Sequence, residues 1–433
     1  MEIHVVQPGE TIDSIAAAYS VSTEKIIQDN ELTNPYELVP GQTIVIVYPL
    51  QTHTVQEGDT LGSIAAAYGV SVMQILRNNP FLANREQIYP GETIVISYNT
   101  GGTITTHGYG YPFISEELLR KTLPNLTYLS VFNYRFRKDG EISSYYDDTE
   151  TVRLAKEYDT IPLIMLSTLS AQGEPDLEAI YELLLNEEFQ NKQLEILIDL
   201  LKSKGYAGVN FIFNFMNTSN QNLYEKFLAK ASTRLIAEGY LVFVSINPNI
   251  QSMNGEITFE QIDYSVINTL VSGIIFLEFV WGTNSTPPAP VFSIQKISTF
   301  TNYALQSVPP DKCIIGVPTL AYDWPLPFIQ GRTIGNSLTI DAALSLARDL
   351  NVPIQFDTPS QSPYFNYYQY TIGFPVQHIV WFTDARSYNA LMELVVEHGL
   401  IGMGIWSIMV YNPQLWLVVN SQYEVVKIPL DSI

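Results

Sequence analysis

The sequence predicts an α/β protein in which two small βααβ modules precede a (β/α)8 barrel with a small α+β insertion after its seventh strand. Three observations predict this architecture. A repeat with a register of 49 to 50 residues opens the chain, and eight apolar, β-rich runs alternate with helical patterns after it. The length of 433 residues exceeds that of one ordinary domain and leaves room for a complete barrel.

The repeat predicts two copies of one small fold. Each copy shows a short strand, a glycine-containing turn, a helix capped by Thr11 or Thr60, a second helix and a final alternating strand. We predict modules at 1–49 and 50–98, followed by a short linker at 99–106. The matching strings are HVVQPGETIDSIAAAYSVSTEKI (4–26) and HTVQEGDTLGSIAAAYGVSVMQI (53–75), then VPGQTIVI (39–46) and YPGETIVI (89–96).

Eight apolar segments after the linker predict parallel strands buried on both faces. Eight is the strand number of a TIM barrel, which we place at 107–433. Short strands and extra helices at about 325–395 predict the insertion, on the rim of the barrel. The predicted strands are THGYGYP (106–112), TYLSVFNY (127–134), PLIMLST (162–168), GVNFIFNF (208–215), LVFVSINP (241–248), GIIFLEFVW (273–281), CIIGVPTL (313–320) and IGMGIWSI (401–408).

The composition excludes several classes of partner. Forty-four acidic and 22 basic residues give a formal charge of −22, and no cluster of Lys and Arg is available to bind phosphates. We therefore predict neither nucleic acid nor a membrane as a partner. No apolar run is long enough to span a bilayer, and no signal peptide is visible, so we expect synthesis in the cytoplasm. Cys313, the single cysteine, lies in an apolar run and is expected to be buried.

The carboxyl ends of the predicted strands, where barrels place their chemistry, are rich in aromatic and amide side chains. Aromatic faces stack on the C–H faces of sugars while amides bind hydroxyl groups, so the pattern favours a carbohydrate site. Several of these side chains could instead simply fill the barrel. No metal-ligand spacing or phosphate loop is present, so we predict no metal and no cofactor, and His107 and His378 are expected to be structural. The candidates are Tyr109, Asn133, Tyr134, Asn214, Asn247, Phe279, Trp281, Tyr322, Asp323, Trp324 and Trp406.

The two modules resemble LysM domains in their [VP]-x-x-G-[ED]-T start, SIAxxY helix and closing PGQxIxI strand. The resemblance implies binding of N-acetylglucosamine-containing glycans, chiefly peptidoglycan and chitin, in a groove between the first loop and the second helix. The glycines and threonines of this groove also have a structural explanation, as turn and cap residues. The implied groove residues are Gly9, Thr11, Ile12, Asn30 and Leu32 in the first copy and Gly58, Thr60, Leu61, Asn79 and Phe81 in the second.

Residues 107–433 resemble glycoside hydrolase family 18. The resemblance is to the spore cortex-fragment-lytic N-acetylglucosaminidases of endospore-forming bacteria, which combine two LysM domains with a family 18 barrel. It implies a location in the spore, at the boundary of coat and cortex. The strings that carry the resemblance are GYGYPFISEELL (108–119), LTYLSVFNYRF (126–136), GVPTLAYDW (316–324), SPYFNYY (362–368) and IVWFTDARS (379–387).

The chain departs from the family at the residues that perform hydrolysis. The family strand D-G-x-D-x-D-x-E has a form close to G-V-N-I-D-F-E in the cortex-lytic subgroup, and its G-V-N matches here up to Asn210. The orienting aspartate then falls on Ile212, the proton-donating glutamate on Asn214, and the tyrosine of a partner motif on Phe279. An amide cannot deliver a proton near neutral pH, and loss of the general acid costs on the order of 10²–10⁴-fold. The sequence therefore predicts an inactive barrel.

Two acids lie near the degenerate positions. Strand alternation turns Glu278 toward the helices, and the family resemblance makes Asp323 a sugar contact on the rim. Three functions remain as alternatives. The first is a non-catalytic protein that binds peptidoglycan or another N-acetylglucosamine polymer, and the second is an active glycosidase that uses a non-standard acid. The third is a structural spore-coat protein whose barrel contacts coat proteins.

Overall fold

The computed structural model describes residues 1–83, 85, 87–169, 176–253, 256–278, 283–371 and 373–429, and its elements follow the predicted order. The helices in these ranges include none that is both long enough and apolar enough to cross a membrane.

Each module is a two-stranded antiparallel sheet covered by two helices, as predicted. Thr11 and Thr60 cap the first helix of each module, where the threonine side chain accepts a hydrogen bond from the N–H of the serine three residues later. Each module also has a small apolar core of its own. The elements are β1 Glu2–Val5, α1 Ile12–Tyr19, α2 Thr23–Asn30 and β2 Thr43–Ile46, then β3 Gln51–Thr54, α3 Leu61–Tyr68, α4 Val72–Asn78 and β4 Thr93–Ser97.

Eight parallel strands close into a barrel, which confirms the predicted fold. The hydrogen-bonded order is β5-β20-β14-β13-β10-β9-β8-β6, and β6 pairs again with β5. Each of the eight predicted runs overlaps one of these strands. The strands are β5 Thr103–Gly110, β6 Tyr128–Phe136, β8 Ile161–Ser167, β9 Gly208–Phe213, β10 Leu241–Ile246, β13 Gly273–Phe276, β14 Cys313–Pro318 and β20 Gly402–Trp406, and short accessory strands are β7 Ile142–Ser144, β11 Gln251–Met253 and β12 Glu256–Thr258.

Helices surround the barrel and bury its outer surface in one large apolar core, which includes the buried thiol of Cys313. A second, smaller cluster fills the barrel interior. Inward and outward side chains alternate along each strand, so every strand serves both cores. The helices are α5 Glu116–Thr122, α6 Thr149–Glu157, α7 Leu177–Leu185, α8 Glu187–Lys204, α9 Gln221–Ala237, α10 Ile267–Leu270, α11 Ile294–Ala304, α13 Ala385–Glu397 and α14 Pro413–Asn420.

The insertion after the seventh strand is a five-stranded antiparallel sheet with one helix. Its order is β16-β15-β19-β18-β17, and α12 covers one face. The insertion begins at Ala321, before the predicted boundary near 325. It ends at Trp381, because α13 belongs to the outer core of the barrel. The elements are β15 Ala321–Leu326, β16 Asn336–Leu338, α12 Ile340–Asp349, β17 Gln355–Asp357, β18 Ser362–Thr371 and β19 Phe374–Trp381.

The first module docks onto the insertion and onto the start of α14. Val39 is a member of the apolar core of the insertion. The N–H of Ile354 donates to the carbonyl of Pro40 at 2.8 Å, and Gln414 Nε2 donates to the carbonyl of Thr43 at 2.6 Å. The docking therefore combines apolar contact and hydrogen bonds to backbone carbonyls with an ion pair of Glu31 and Lys121 on α5.

The second module docks at the far end of α14. Arg77 is buried and forms an ion pair with Glu424, which opens the two-residue strand β21 Glu424–Val425 beside β5. Asn420 Nδ2 donates to the carbonyl of Arg77 at 3.3 Å. Lys427 then fastens this segment under the amino ends of the strands, with Nζ 2.6–2.9 Å from three backbone carbonyls. The three carbonyls belong to Leu123, Leu126 and Tyr158.

Candidate functional site

Five polar side chains form a hydrogen-bonded group inside the barrel, which we call the inner polar network. Asn210 on β9 donates through Nδ2 to Ser130 Oγ at 3.0 Å and accepts at Oδ1 from Ser245 Oγ at 2.9 Å. The hydroxyls of Ser245 and Tyr109 are 2.7 Å apart, and His107 Nε2 lies 2.7 Å from Ser130 Oγ. All five are buried, so Asn210 and His107 support the interior of the fold.

The inner polar network is uncharged near neutral pH. Burial lowers the pKa of His107 to about 3. Burial also raises the pKa of Tyr109 far above its ordinary value, although its bonds to Ser245 and Asn210 oppose the shift. Neither group can exchange a proton with a bound ligand near pH 7.

Ile212 follows Asn210 by two residues on β9 and also faces the barrel interior. It lies nearer the mouth, which is the end of the barrel formed by the strand carboxyl termini. It is buried among side chains from all eight strands, while Phe211 and Phe213 point outward into the helical layer. A carboxylate at this position would lose its hydration among hydrocarbon groups. The cluster consists of Tyr109, Phe132, Ile161, Leu163, Met165, Ile212, Phe243, Ile275, Leu277, Ile314 and Trp406.

Asn214 and Asn247 follow the ends of β9 and β10. The pairing of Phe213 with Ile246 places the two asparagines side by side. Both line a groove on the rim of the barrel, whose opposite wall is α7; we call it the rim groove. The Asn214 Oδ1 atom is buried and has no hydrogen-bond partner among the described residues. The position predicted for the proton-donating acid therefore presents an amide, which has no proton of suitable acidity.

Glu278 lies behind the barrel wall. It lines a small cavity with Phe292 and Phe300 from the helical layer, whereas Leu277 belongs to the interior cluster. Burial raises the pKa of Glu278, and the charge of Lys296 opposes that shift. The carboxyl group therefore faces away from any ligand in the barrel mouth.

Asp323 is bound within the insertion, and its contact with sugar stays a prediction. One carboxylate oxygen lies 2.9 Å from His378 Nδ1, and the other accepts from the Tyr367 hydroxyl at 2.7 Å. The rings of Tyr367 and His378 stack with centroids 4.7 Å apart. This buried group joins β15, β18 and β19, so Asp323 and His378 stabilise the sheet.

Asn133 and Tyr134 also leave the predicted site, because β6 contains a bulge. Phe132 pairs with Met165 and Tyr134 with the next residue of β8, so Asn133 is the extra residue and Tyr134 turns to the outer core. The Tyr134 hydroxyl donates to buried Asp148 at 2.5 Å. Asn133 Nδ2 donates to a backbone carbonyl at 2.8 Å. Both side chains therefore make structural contacts, and their glycan contacts stay predictions.

Besides Tyr134, four predicted aromatic residues lie where the structure can be described. Tyr109 and Trp406 form the floor of the mouth, with ring centroids 5.5 Å apart. Tyr322 and Trp324 are also buried, 5.2 Å apart, and alternation along β15 places them on the sheet face opposite Asp323. Their contacts with sugar stay predictions. Two further candidates lie outside the described residues: Phe279 and Trp281.

A series of aromatic rings that the sequence reasoning did not select leads from the floor to the surface. Phe132 lies 6.4 Å from Trp406 and 5.0 Å from Tyr111. Tyr111 stacks on Phe113 at 5.1 Å, and Phe113 meets Tyr146 at 5.1 Å. Phe113 and Tyr146 are exposed. The alternating string GYGYPF was the available signal, because it places every second residue on one face.

Asn30 and Asn79 stabilise the modules internally and do not offer free amides to a groove. Asn30 donates to the carbonyls of Ile26 and Val45 at 3.1 and 2.8 Å, and accepts from the N–H of Val45 at 2.8 Å. Asn79 makes the same three bonds in the second module. Asn30 and Asn79 each line a pocket beside their module, and their contacts with glycan stay predictions.

The remaining groove residues keep only part of their predicted role. Ile12 is fully buried and can meet a ligand only through its backbone. The side of the first module that contains Leu32 lines a pocket shared with the insertion and the barrel. That side therefore faces the barrel. The other positions lie in turns, at helix caps or partly exposed, and their contacts stay predictions: Gly9, Thr11, Gly58, Thr60, Leu61 and Phe81.

The described ranges contain no group of three or more His, Cys, Asp or Glu side chains placed to hold a metal ion. A closed parallel barrel with an antiparallel insertion at its mouth, preceded by two repeated modules, defines a modular TIM-barrel protein.

Comparison with known proteins gives the family. The glycosyl hydrolases family 18 model matches residues 109–409, and the LysM domain model matches residues 4–47 and 53–97. The chain therefore belongs to the glycosyl hydrolases family 18 and carries two LysM domains, which confirms both resemblances.

The chain is similar over its whole length to spore enzymes. It is 32% identical to the cortical fragment-lytic enzyme of Bacillus anthracis and 32% identical to that of Bacillus subtilis (strain 168), with 99% of both chains covered in each case. The crystal structure of the Bacillus cereus spore cortex-lytic enzyme SleL superimposes with a TM-score of 0.79 at 28% identity, covering 98% of this chain and 99% of that one.

Proposed function

We propose that this chain is a spore-associated protein that binds peptidoglycan or another N-acetylglucosamine polymer without hydrolysing it. Its LysM domains would anchor it, and its barrel would hold glycan at a degenerate active site. The observation that carries the proposal is the environment of Ile212, which lies in hydrocarbon where the family has its orienting aspartate.

The chemistry of the family supports this assignment. In family 18 the substrate's acetamido oxygen attacks the anomeric carbon while a carboxylic acid protonates the leaving oxygen. Asn214 cannot donate that proton, and Ile212 cannot orient the acetamido group. Glu278 faces the helical layer and Asp323 is bound to His378 and Tyr367, so neither is placed to substitute.

The similarity to spore enzymes supports a role in the spore. Both Bacillus proteins are cortical fragment-lytic enzymes, and the similarity extends over 99% of each chain. A protein that kept both LysM domains and the barrel fold would be directed to the same polymer, at the boundary of coat and cortex.

Incubation of the full chain with cortex-derived muropeptides tests the proposal. We expect no cleavage products by mass spectrometry, and we expect the protein to co-sediment with purified peptidoglycan. Turnover that Glu278→Gln or Asp323→Asn abolishes would establish an active glycosidase with a non-standard acid. Failure to co-sediment would remove the glycan-binding role and favour a structural coat protein.

A further inference from the structure

The α7 wall of the rim groove exposes apolar side chains that fold stability does not require. Leu177, Tyr181 and Leu185 are four residues apart, so they lie along one side of the helix. Their exposed fractions are 57%, 64% and 64%, whereas Ile180 and Leu184 are buried in the outer core. A continuous exposed apolar surface that lines a groove marks a binding surface.

The opposite wall offers hydrogen-bonding groups that the protein itself leaves unused. The Asn214 Oδ1 atom is a buried acceptor without a partner among the described residues. Asn217 and Asn247 accept backbone N–H groups at 2.9 and 3.0 Å through their Oδ1 atoms, which fixes both side chains. Neither donates a side-chain hydrogen bond to another described residue. An acceptor and two oriented amide donors therefore face the groove.

The charge of the groove restricts its ligand. Glu260 is the one charged residue among the described residues that line it, and no Lys or Arg is among them. Anionic ligands are therefore disfavoured. A ligand that satisfies both walls must be neutral, must carry hydroxyl and amide groups on one side and must present C–H surface on the other.

We propose that the rim groove binds a segment of a neutral N-acetylated amino-sugar chain, beside the barrel axis instead of over it. The inference rests on the proposed glycan-binding function and adds a location and a ligand class. The sugar faces and acetyl methyl groups would cover Tyr181 and Leu185, while Asn214 Oδ1 would accept from a hydroxyl or acetamido N–H. An apolar helix of a protein partner would offer no donor to Asn214 Oδ1 and no acceptor to the amides of Asn217 and Asn247, so it would use only one wall of the groove.

Hydrogen–deuterium exchange of the full chain, titrated with an N-acetylglucosamine tetramer, measures binding at the rim groove separately from binding at the LysM domains. We expect saturable slowing of exchange in residues 177–185 and 214–220. The double substitution Tyr181→Ser with Leu185→Ser is expected to raise the half-saturating tetramer concentration for these segments about tenfold. Ile236→Ser, at an exposed apolar position on α9, is the matched control and should change nothing.

Asn214→Leu supplies a second variant that tests the polar wall. It removes an unsatisfied acceptor, so it should leave the melting temperature unchanged or raised while it weakens tetramer binding at the groove. An Asn214→Leu protein with unaltered protection of residues 177–185 would overturn the role of this acceptor. Replacing the tetramer with a muropeptide distinguishes the sources: protection by both ligands assigns the shared sugar backbone, and protection by the tetramer alone assigns a chitin-type chain.

Three outcomes would overturn the inference. Protection confined to residues 1–98 would refute the rim groove and leave the proposed function standing. Absence of protection everywhere would refute both. Protection of residues 177–185 that depends on protein concentration, without sugar, would show that a second copy of the chain occupies the groove.

Discussion

The two LysM domains repeat their internal bonds and differ in how they meet the barrel. In the first domain His4 lies 2.8 Å from Glu10 and 3.2 Å from the Tyr19 hydroxyl. The second domain has the same arrangement, with His53 2.7 Å from Asp59. Side chains that serve the fold of the module are thus kept in both copies.

The surfaces that face the barrel have diverged. The first domain contributes Val39 to the core of the insertion and presses Gly41 against the backbone of Ile354. The second domain uses the ion pair of Arg77 with Glu424. The first domain also forms an ion pair, but at a different place, between Glu31 and Lys121 of α5. The two copies therefore dock through different contacts, which shows that docking was fitted separately for each repeat.

Substitution of the buried asparagine of each domain, Asn30 or Asn79, should cause the largest loss of stability. The loss should be equal in both copies. Asn30→Ala and Asn79→Ala each remove three buried hydrogen bonds and leave backbone groups unpaired, so we expect each to cost about 4 kcal/mol. The opening free energy of each domain, measured by amide exchange, checks this. A cost in one domain that is less than half that in the other would contradict the equivalence.

Alanine substitution of two equivalent glycines distinguishes the cost of lost docking from the cost of strain within the module. Gly41 and Gly91 occupy equivalent turns with φ near +90°, where alanine costs about 1 kcal/mol. A Cβ at Gly41 would overlap the carbonyl of Ile354, whereas nothing lies within 4 Å of one at Gly91. We expect Gly41→Ala to cost about 3 kcal/mol and to expose the interface to proteolysis, and Gly91→Ala to cost about 1 kcal/mol. Equal costs would show that the contact is not required for docking.

Removal of the ion pair of Arg77 with Glu424 tests the docking of the second domain. Arg77→Gln introduces the residue that the first domain has at the equivalent position, Gln28. It leaves Glu424 without its buried partner, so we expect undocking of the second domain at a cost of about 2 kcal/mol. Amide exchange near residues 420–425 measures the change. Unchanged protection there would mean that Asn420 and the apolar contacts suffice.

Lowering the pH should produce the smallest change in stability, again in both domains. The N–H groups of Gln7 and Gln56 lower the pKa values of Glu10 and Asp59 below their ordinary 4.5 and 3.8, with help from the neighbouring histidines. Because the folded pKa is lowered, the stabilisation is present above the ordinary pKa and is lost as the pH falls through the lowered value. Glu10→Gln and Asp59→Asn should each lower the melting temperature slightly at pH 6, and the difference should vanish near pH 2.

The barrel and the modules were predictable because their signals are local. Eight apolar runs, the repeated SIAAAY string and the Pro-Gly turns each specify an element within a few residues. The inward direction of Ile212 was also predictable, since strand alternation fixes which side chains face inward. That Ile212 and Asn214 occupy the catalytic positions of the family stays a prediction.

The site itself was less predictable, because it depends on contacts between distant residues. The bulge at Asn133 reverses the direction of the Tyr134 side chain. The residues that pair with the bulged segment lie on another strand, β8. Asp323 meets His378 55 positions later, a pairing that no local pattern encodes. The rim groove needs α7 beside the loops after β9 and β10, so its composition emerges only in the folded chain.

The docking of the second LysM domain has a consequence for biosynthesis. The ion pair of Arg77 with Glu424 joins residues separated by 347 positions. Domains fold in order as they leave the ribosome, so both LysM domains can fold while their docking surface on α14 and β21 has not yet been made. During translation the glycan-binding modules therefore pass through a stage in which they are folded but free, and the fixed arrangement of the mature protein is set only when residues 413–424 emerge.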